Sequence, residues 1–370
     1  MAYFDYIKAF YEETHSRESL VADIDSVLAS KSREMKATAI PFSTLRKPNI
    51  HFPAVESESR KVTLLLSSNG VHLFELRYTF KQGTHKRTEL GRFFVYEHPS
   101  YPNVYVALTI EAGGFDRRGL LTFLRAQSPD VVVGFIPHAR LKRLLENFKD
   151  TYEFTDLIIT RATQRLRLPE EGTHRAVMPI MTWPDMALDE AIEWLVEHNG
   201  WFQAVQFDAK RDAHTAARVS ITRDGVVRCD YLFEQVFQAF VAPVCKLHHE
   251  NFNLFSQRSR RDNPELAARP LAITFTDERF DDPQENKTFI QAMRSLRTAS
   301  VSVLHGNPYI HLGVIDYMDG STFDLWVVDS RELVIVPQMY VSVGAIKRLV
   351  NHVYDTFAEG VVSEFEASPT

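Results

Sequence analysis

Cysteine is scarce in this chain: Cys229 and Cys245 are the only two among 370 residues. They form no Cys-x-x-Cys pair and do not have the spacing of a metal finger, which argues against a disulfide scaffold or a structural zinc site. Long apolar runs are also missing, since no segment approaches the roughly 20 residues that cross a bilayer. The N terminus lacks the apolar core of a signal peptide. We therefore predict a cytoplasmic protein with reduced thiols and no membrane contact.

The familiar catalytic signatures are missing as well. The sequence contains no Walker A loop, no Gly-x-Gly-x-x-Gly, no His-Glu-x-x-His and no Gly-x-Ser-x-Gly. A restriction-nuclease-like core needs a strand with Glu-x-Lys, and the nearest match, at Glu332, lacks the lysine. Cys245, His248 and His249 have no second ligand pair nearby, so we interpret them as a helical surface patch. These absences favour a protein that binds rather than catalyses.

What the sequence does contain is three Asx-Gly pairs between strand-like runs: Asn69-Gly70, Asp224-Gly225 and Asp319-Gly320. Such a pair is the strongest local signal for a β-hairpin, because glycine adopts positive φ without strain. Around the second pair, a three-residue loop places Val219, Ile221, Val227 and Cys229 on one apolar face. The first pair does not select a register, but the run Leu64–Leu66 suggests a strand covered on both sides.

The third hairpin has two registers, and we prefer a three-residue loop. This loop would pair Ile315 with Phe323 and leave Asp316 and Asp324 diagonally placed on the opposite face. Diagonal residues lie about 7–8 Å apart, so both carboxylates could reach one Mg²⁺ or Mn²⁺ ion. His305 would complete a catalytic centre for phosphodiester hydrolysis. The competing interpretation is a solvated outer face on which Asp319 only stabilises the turn.

The chain is longer than one hydrophobic core usually organises, and its 26 Phe residues can fill a substantial core. Strand runs separated by amphipathic helices predict an α+β fold: two domains of mainly antiparallel sheet, with helices packed on one face. The predicted boundaries are residues 1–60 for N-terminal helices and a Pro-containing linker, 61–168 for the first domain, 178–360 for the second, and 361–370 for a frayed tail. The long helix from 232 to 255 must bend or break near Pro243.

Arginine clusters offer a second kind of candidate site. The net charge of -6 gives no overall attraction for nucleic acid, so any contact must be local. Basic residues of the first domain are candidates for a phosphate-binding face; they are Arg117, Arg118, Arg125, Arg140, Lys142, Arg143, Arg165 and Arg167. Arg161 belongs to the last of these runs. The alternative is that they are ordinary solvated helix faces with ion pairs.

Two functions follow from these patterns. The first is a non-catalytic cytoplasmic binding protein without a cofactor, which contacts nucleic acid through its arginines and joins a protein partner or a second copy. We expect such a protein to be a subunit of a bacterial multi-protein system of the defence or DNA-maintenance type. The second is a metal-dependent phosphohydrolase or nuclease that uses Asp316 and Asp324 with Mg²⁺ or Mn²⁺.

Overall fold

The structure is a computed structural model that describes residues 3–30, 35–44, 60–111, 114–166, 176–177, 185–198, 200–261, 265, 267–307 and 309–366. The side chains of residues 3–7, 82, 164–166, 176–177 and 328 lie outside this description. The chain divides into two compact units. Unit 1 combines Met1–Leu166 with Val177–His249, and unit 2 combines Arg167–Ala176 with Glu250–Thr370. Both contain antiparallel sheet with packed helices, which confirms the predicted α+β class.

The first sheet comprises twelve strands in the described part of the chain: β1 (Ala37–Thr44), β2 (Arg60–Ser68), β3 (Val71–Gln82), β4 (His85–Glu97), β5 (Val104–Thr109), β6 (Val131–Val133), β7 (Asp156–Leu166), β8 (Ala176–Val177), β9 (Met186–Ala187), β10 (Gly200–Arg211), β11 (His214–Thr222) and β12 (Val227–Cys229). Their order is β2-β3-β4-β5-β1-β12-β11-β10-β7-β8, with β6 paired to β1 and β9 paired to β7.

The second sheet belongs to unit 2 and has the order β14-β15-β16-β17-β13-β18. Its strands are β13 (Leu271–Phe275), β14 (Ala299–His305), β15 (His311–Asp316), β16 (Thr322–Asp329), β17 (Glu332–Pro337) and β18 (Gly360–Glu364). The α-helices are α1 (Tyr3–Glu12), α2 (Leu20–Ala29), α3 (Thr122–Ala126), α4 (His138–Thr151), α5 (Leu188–Glu197), α6 (Phe233–Val236), α7 (Ala242–Phe255), α8 (Pro283–Arg294) and α9 (Val343–Thr356). None of the helices in these described ranges is long and apolar enough to cross a membrane.

Two π-helical segments complete the architecture. Asp116–Leu121 leads directly into α3, and Phe237–Val241 joins α6 to α7. The second segment ends immediately before the turn that contains Pro243, which has no backbone N–H to donate. The predicted irregularity near Pro243 therefore takes the form of a π-helical turn, a common accommodation in long helices.

Residues 37–44 are not part of a linker, as the sequence suggested, but form the central strand β1. All eight side chains are buried, so this strand shows no polar alternation that could reveal it. Pro41 is tolerated because one side of β1 changes partner around it: Ala37–Ala39 pair with β12, and Phe42–Thr44 pair with β6. The missing N–H of Pro41 falls in the gap between these two ladders.

The predicted boundary between residues 168 and 178 is flanked on both sides by strands of unit 1. Strand β7, which precedes it, pairs antiparallel with β10, which follows it, over ten residue pairs. The predicted first domain thus shares one sheet with the N-terminal part of the predicted second domain, and unit 1 extends to His249. A charged stretch that contains Pro and Gly resembles a linker in composition. That composition does not reveal that the strands on its two sides, β7 and β10, pair with each other.

Unit 1 has a hydrophobic core on each face of its sheet. One core packs α1, α2, α4, α5, α6 and α7 against the sheet through side chains such as Phe94, Phe148 and Phe207. The other core packs the 115–126 segment against β1 and β3–β5 through Phe115 and Phe123. On this second face, β7, β10 and β11 carry polar side chains next to the 115–126 segment.

Two further sequence expectations are wrong. Leu64, Leu65 and Leu66 are exposed, so β2, which lies at the edge of the described sheet, is not covered on both faces. Residues 361–364 are not frayed but belong to β18, which pairs with β13. This end of the chain is held by Glu364, whose carboxylate accepts from Arg258 (2.9 Å) and Arg269 (2.6 Å). Arg258 is buried and also donates to the Leu254 carbonyl.

Candidate functional site

The third hairpin does not have the predicted register. Ile315 pairs with Thr322, and the Asp316 N–H donates to the Ser321 carbonyl (2.8 Å), so the loop has four residues instead of three. This shift of one residue moves Asp316 to the buried face of the sheet. Asp324 pairs with Gly313 on the opposite face. The prediction that the two carboxylates share a face is therefore wrong.

Each of these carboxylates has its own protein partner. Asp316 binds the Arg348 guanidinium (2.9 and 3.0 Å), and Asp324 accepts from the Gln338 side chain (2.7 Å) and lies 3.7 Å from His311. His305 is exposed at the end of β14. Within the described residues, no group of three or more His, Cys, Asp or Glu is arranged to hold a metal ion. In the hairpin that was the candidate site for Mg²⁺ or Mn²⁺, the two carboxylates therefore bind side chains of the protein itself.

The structure separates the predicted basic residues into several places. Arg118 lies over the Phe80 ring, 4.4 Å from its centroid, and Lys142 is 3.7 Å from Glu146 on the same helix. Arg140 and Arg143 line a cavity of about 300 Å³ beside α4. The Arg165 side chain and all of Arg167 lie outside the described residues. Among the described side chains, Arg117 and Arg125 lie together with Arg161 and Arg228.

Arg117 and Arg125 line a cavity of about 380 Å³ in unit 1, which we call the arginine cavity. Its other two cationic residues are Arg161 and Arg228. Its neutral polar residues are Thr163, Gln206, Ser220 and Thr222, its acidic residue is Asp224, and its apolar residues are Leu121, Ala204, Val205, Ile221 and Val226. Four arginines and one aspartate give the lining an excess of positive charge in a protein that is acidic overall.

The floor of the arginine cavity is a straight row across four strands. Arg161 pairs with Gln206, Gln206 with Ser220, and Ser220 with Arg228, so all four side chains share one face of the sheet. Adjacent strands are about 4.8 Å apart, which places the backbones of Arg161 and Arg228 about 14 Å apart across three such steps. The row therefore has a cation at each end and two neutral hydrogen-bonding groups between them.

Two β-bulges aim this row at the cavity. Phe207 pairs with Ile159 while Gln206 pairs with Arg161, so Thr160 is the extra residue on β7. In a regular strand, residues 159 and 161 would share a face, and Arg161 would point with Ile159 into the core that the helices cover. A second bulge lies on β10, where Gln203 is the extra residue between Phe202 and Ala204. Bulges are frequent beside functional sites because they redirect a side chain in this way.

The wall of the arginine cavity comes from the 115–126 segment. Arg117, Leu121 and Arg125 follow one another at intervals of four residues and line the cavity, whereas Phe115 and Phe123 point into the core. Phe115 sits so close to Gly91 of β4 that a Cβ atom there would lie 2.4 Å from its ring. The absence of a side chain at Gly91 therefore lets this segment approach the sheet.

The four arginines differ in their electrostatic partners. Arg228 is buried and forms an ion pair with the buried Asp116, and Arg125 pairs with the more exposed Asp224. Burial lowers the pKa of Arg228, the attraction of Asp116 opposes this, and the nearby Arg117 adds to the lowering. Arg117 and Arg161 are exposed, and neither side chain has an ion-pair partner among the described residues. Two oriented and two available guanidinium groups therefore face one cavity.

The sequence pattern singled out three of the four arginines of this site, Arg117, Arg125 and Arg161. Arg228 was missed because the second hairpin was explained by its apolar face alone, which is indeed formed by Val219, Ile221, Val227 and Cys229. The predicted three-residue loop of this hairpin is confirmed, since the Thr222 N–H donates to the Val226 carbonyl (3.1 Å). Asp224 at its tip and Arg228 on its outer face both belong to the arginine cavity. The signal that was available is Arg228 itself, a charged residue alternating with buried positions.

The chain matches no protein-family model, and no curated protein matches it.

Proposed function

We propose that this protein is a non-catalytic nucleic-acid-binding protein, and that the arginine cavity of unit 1 is its phosphate-binding site. The observation that carries the proposal is the convergence of Arg117 and Arg161, which lack ion-pair partners in the described structure, with Arg125 and Arg228, which aspartates orient. Guanidinium groups form paired hydrogen bonds with phosphate oxygens, so a cluster of this kind suits a phosphodiester.

The charge distribution supports a local mode of binding. The protein as a whole is acidic, so long-range attraction to a polyanion is weak, and affinity must come from contacts inside the cavity. Arg228 and Arg125 enter the cavity already held by carboxylates, so they lose little side-chain freedom on binding. Arg117 and Arg161 supply the uncompensated charge.

Replacing both Arg117 and Arg161 by glutamine should reduce affinity for a labelled oligonucleotide at least tenfold at low salt. Each lost phosphate contact should also reduce the slope of log affinity against log salt by about one. Fluorescence anisotropy between about 50 and about 200 mM salt measures both quantities.

The matched control is the pair Arg140→Gln and Arg143→Gln, which removes the same charge from the neighbouring cavity. It should change affinity less than threefold. Equal losses in the two double variants would show a diffuse charge effect, and no binding by the wild type at low salt would refute the proposal.

Strand β2 lies at the edge of the described sheet and is suited to pair with β2 of a second copy of the chain. Leu64, Leu65 and Leu66 are exposed there, and an edge strand offers backbone donors and acceptors to a further strand. Antiparallel pairing of two β2 strands about Leu64 places Arg60 opposite Ser68 and keeps the basic ends of the two strands apart. Parallel pairing would align identical charges, so charge favours a twofold-symmetric dimer.

Leu64→Lys should convert such a dimer to a monomer, because it places two lysines face to face at the twofold axis. Light scattering after size-exclusion chromatography measures the mass. Val196→Lys is the control, since Val196 is also exposed in unit 1 but lies on a helix away from β2. A wild-type protein that is monomeric at high micromolar concentration would disprove the pairing.

The cytoplasm remains our proposed location. Both cysteines are free and buried, and free thiols suit a reducing compartment. Membership of a bacterial multi-protein system of the defence or DNA-maintenance type is part of the same proposal. Purification from the native host, with identification of the protein and nucleic acid that accompany the chain, tests it directly.

A further inference from the structure

The middle of the arginine cavity has a chemistry of its own. Gln206 and Ser220 lie between the cationic ends of the cross-strand row, and Thr163 lies beside them. None of these three side chains makes a hydrogen bond to another described residue. Their amide and hydroxyl groups are therefore available to a ligand, and they carry no charge. A site that bound only phosphate would not need a neutral floor of this kind.

The size of the arginine cavity limits what can reach this floor. Its volume of about 380 Å³ falls at the small end of the range of about 300–1,000 Å³ that is typical of small-molecule sites. One nucleotide is a ligand of this scale. None of the described residues in the lining is aromatic, so a base would be held by hydrogen bonds to its edge and by aliphatic contacts with Leu121 and Val226.

A duplex does not fit the same floor. Base edges in a duplex are reached through its grooves, and a major groove about 12 Å wide admits a helix or a two-stranded ribbon. The floor of the arginine cavity spans four strands and is recessed beside the 115–126 segment, so it cannot enter a groove. An unpaired base, in contrast, can turn its hydrogen-bonding edge toward a side-chain amide.

We infer that the arginine cavity receives one unpaired nucleotide of a single-stranded nucleic acid. Its base faces Gln206 and Ser220, and the flanking phosphates lie toward Arg161 on one side and Arg117 with Arg228 on the other. This inference rests on the proposed function and adds to it the strandedness of the ligand and the residue that reads the base. A carboxamide both donates and accepts, so Gln206 can distinguish bases by their edge pattern.

Anisotropy titrations with labelled single strands of dA, dT and dC, their RNA equivalents, mixed-sequence duplexes and free nucleoside monophosphates test the inference. Single strands should bind at least tenfold more tightly than a duplex of the same length. Gln206→Leu should change the relative affinities among the homopolymers at least threefold and leave the salt slope unchanged. Gln238→Leu, which alters the neighbouring cavity, is the matched control and should change neither.

The outcomes separate this inference from the proposed function. If duplex and single strand bind equally and the Arg117/Arg161 double variant weakens both, the nucleic-acid function stands and the single-strand inference fails. Free mononucleotide binding as tightly as the strand would also overturn it, because the ligand would then be a small metabolite. Unaltered base preference in Gln206→Leu would overturn the role of Gln206. Thermal melting of each variant confirms that it is folded.

Discussion

Arg348→Met is expected to lower the free energy of unfolding of unit 2 by about 3–5 kcal/mol, the usual cost of removing one partner from a buried ion network. The Arg348 guanidinium binds both oxygens of Asp316 and one oxygen of Asp319 (3.0 Å). The side chains of the two aspartates are only 3% and 2% exposed. Without Arg348, two carboxylates would remain buried close together with no cationic partner among the described residues.

The pH dependence of the stability of unit 2 gives a second test of the ion network formed by Arg348, Asp316 and Asp319. Burial alone would raise the pKa of Asp319, but hydrogen bonds from Ser321 and Ser342, together with Arg348, outweigh it and hold the pKa below its ordinary value. A carboxyl group with a lowered folded-state pKa stabilises the fold above its unfolded value of about 3.9. That stabilisation is lost as pH falls through the lowered pKa, and the loss should be smaller in Arg348→Met.

Hydrogen exchange of unit 2 peptides in increasing urea measures this prediction locally. Arg331→Met provides the comparison, since Arg331 and Glu278 form an ion pair (3.1 Å) that is about half exposed. An exposed pair of this kind contributes at most about 1 kcal/mol. Similar small losses in both variants would show that the Arg348 network does not stabilise unit 2.

Asp116→Ala is expected to have opposite effects on folding and on binding in unit 1. Arg228 and Asp116 are both nearly buried, so loss of the carboxylate leaves an uncompensated guanidinium and costs about 3–5 kcal/mol of unfolding free energy. The freed Arg228 charge faces the arginine cavity, and a phosphate can replace the missing carboxylate. The variant should therefore be less stable but bind a single-stranded oligonucleotide more tightly.

Urea unfolding with and without oligonucleotide measures both effects, because a ligand that binds only the folded state raises its stability. Asp224→Ala is the matched control: it removes the partner of Arg125, but this pair is 53% and 43% exposed, so the loss should not exceed about 1 kcal/mol. A variant Asp116→Ala that loses stability and also binds less tightly would contradict the assignment of Arg228 to the ligand site.

Local signals in the sequence predicted local structure well. The Asp224-Gly225 turn has the expected three-residue loop, with Gly225 at φ +77°. This loop depends on residues within a few positions of each other, so the pattern contains the necessary information. The α+β class followed from the succession of such elements.

Features fixed by distant contacts could not be predicted in the same way. The pattern of the third hairpin predicted that Ile315 is buried, yet Ile315 is exposed and Asp316 is buried. The Asp316 carboxylate can be buried because Arg348 compensates its charge, and Arg348 is 32 residues away in the sequence. Arg228 and Asp116 are 112 residues apart. The bulge at Thr160 reverses the alternation that would place Arg161 in the core. A periodicity argument assumes regular strands, and the arginine cavity is formed where regularity fails.

Among the described strands of the first sheet that have a neighbour on each side, β12 is the shortest, and its three residues Val227–Cys229 join β1 on one side to β11 on the other. The β3–β4 and β10–β7 ladders on its two flanks are far longer. Opening at β12 would break fewer ladder hydrogen bonds than opening at the ladders on its flanks, so we expect sub-global unfolding of the sheet to begin at β12. Arg228 is the central residue of β12, so a phosphate bound to Arg228 would stabilise the closed sheet and suppress such openings.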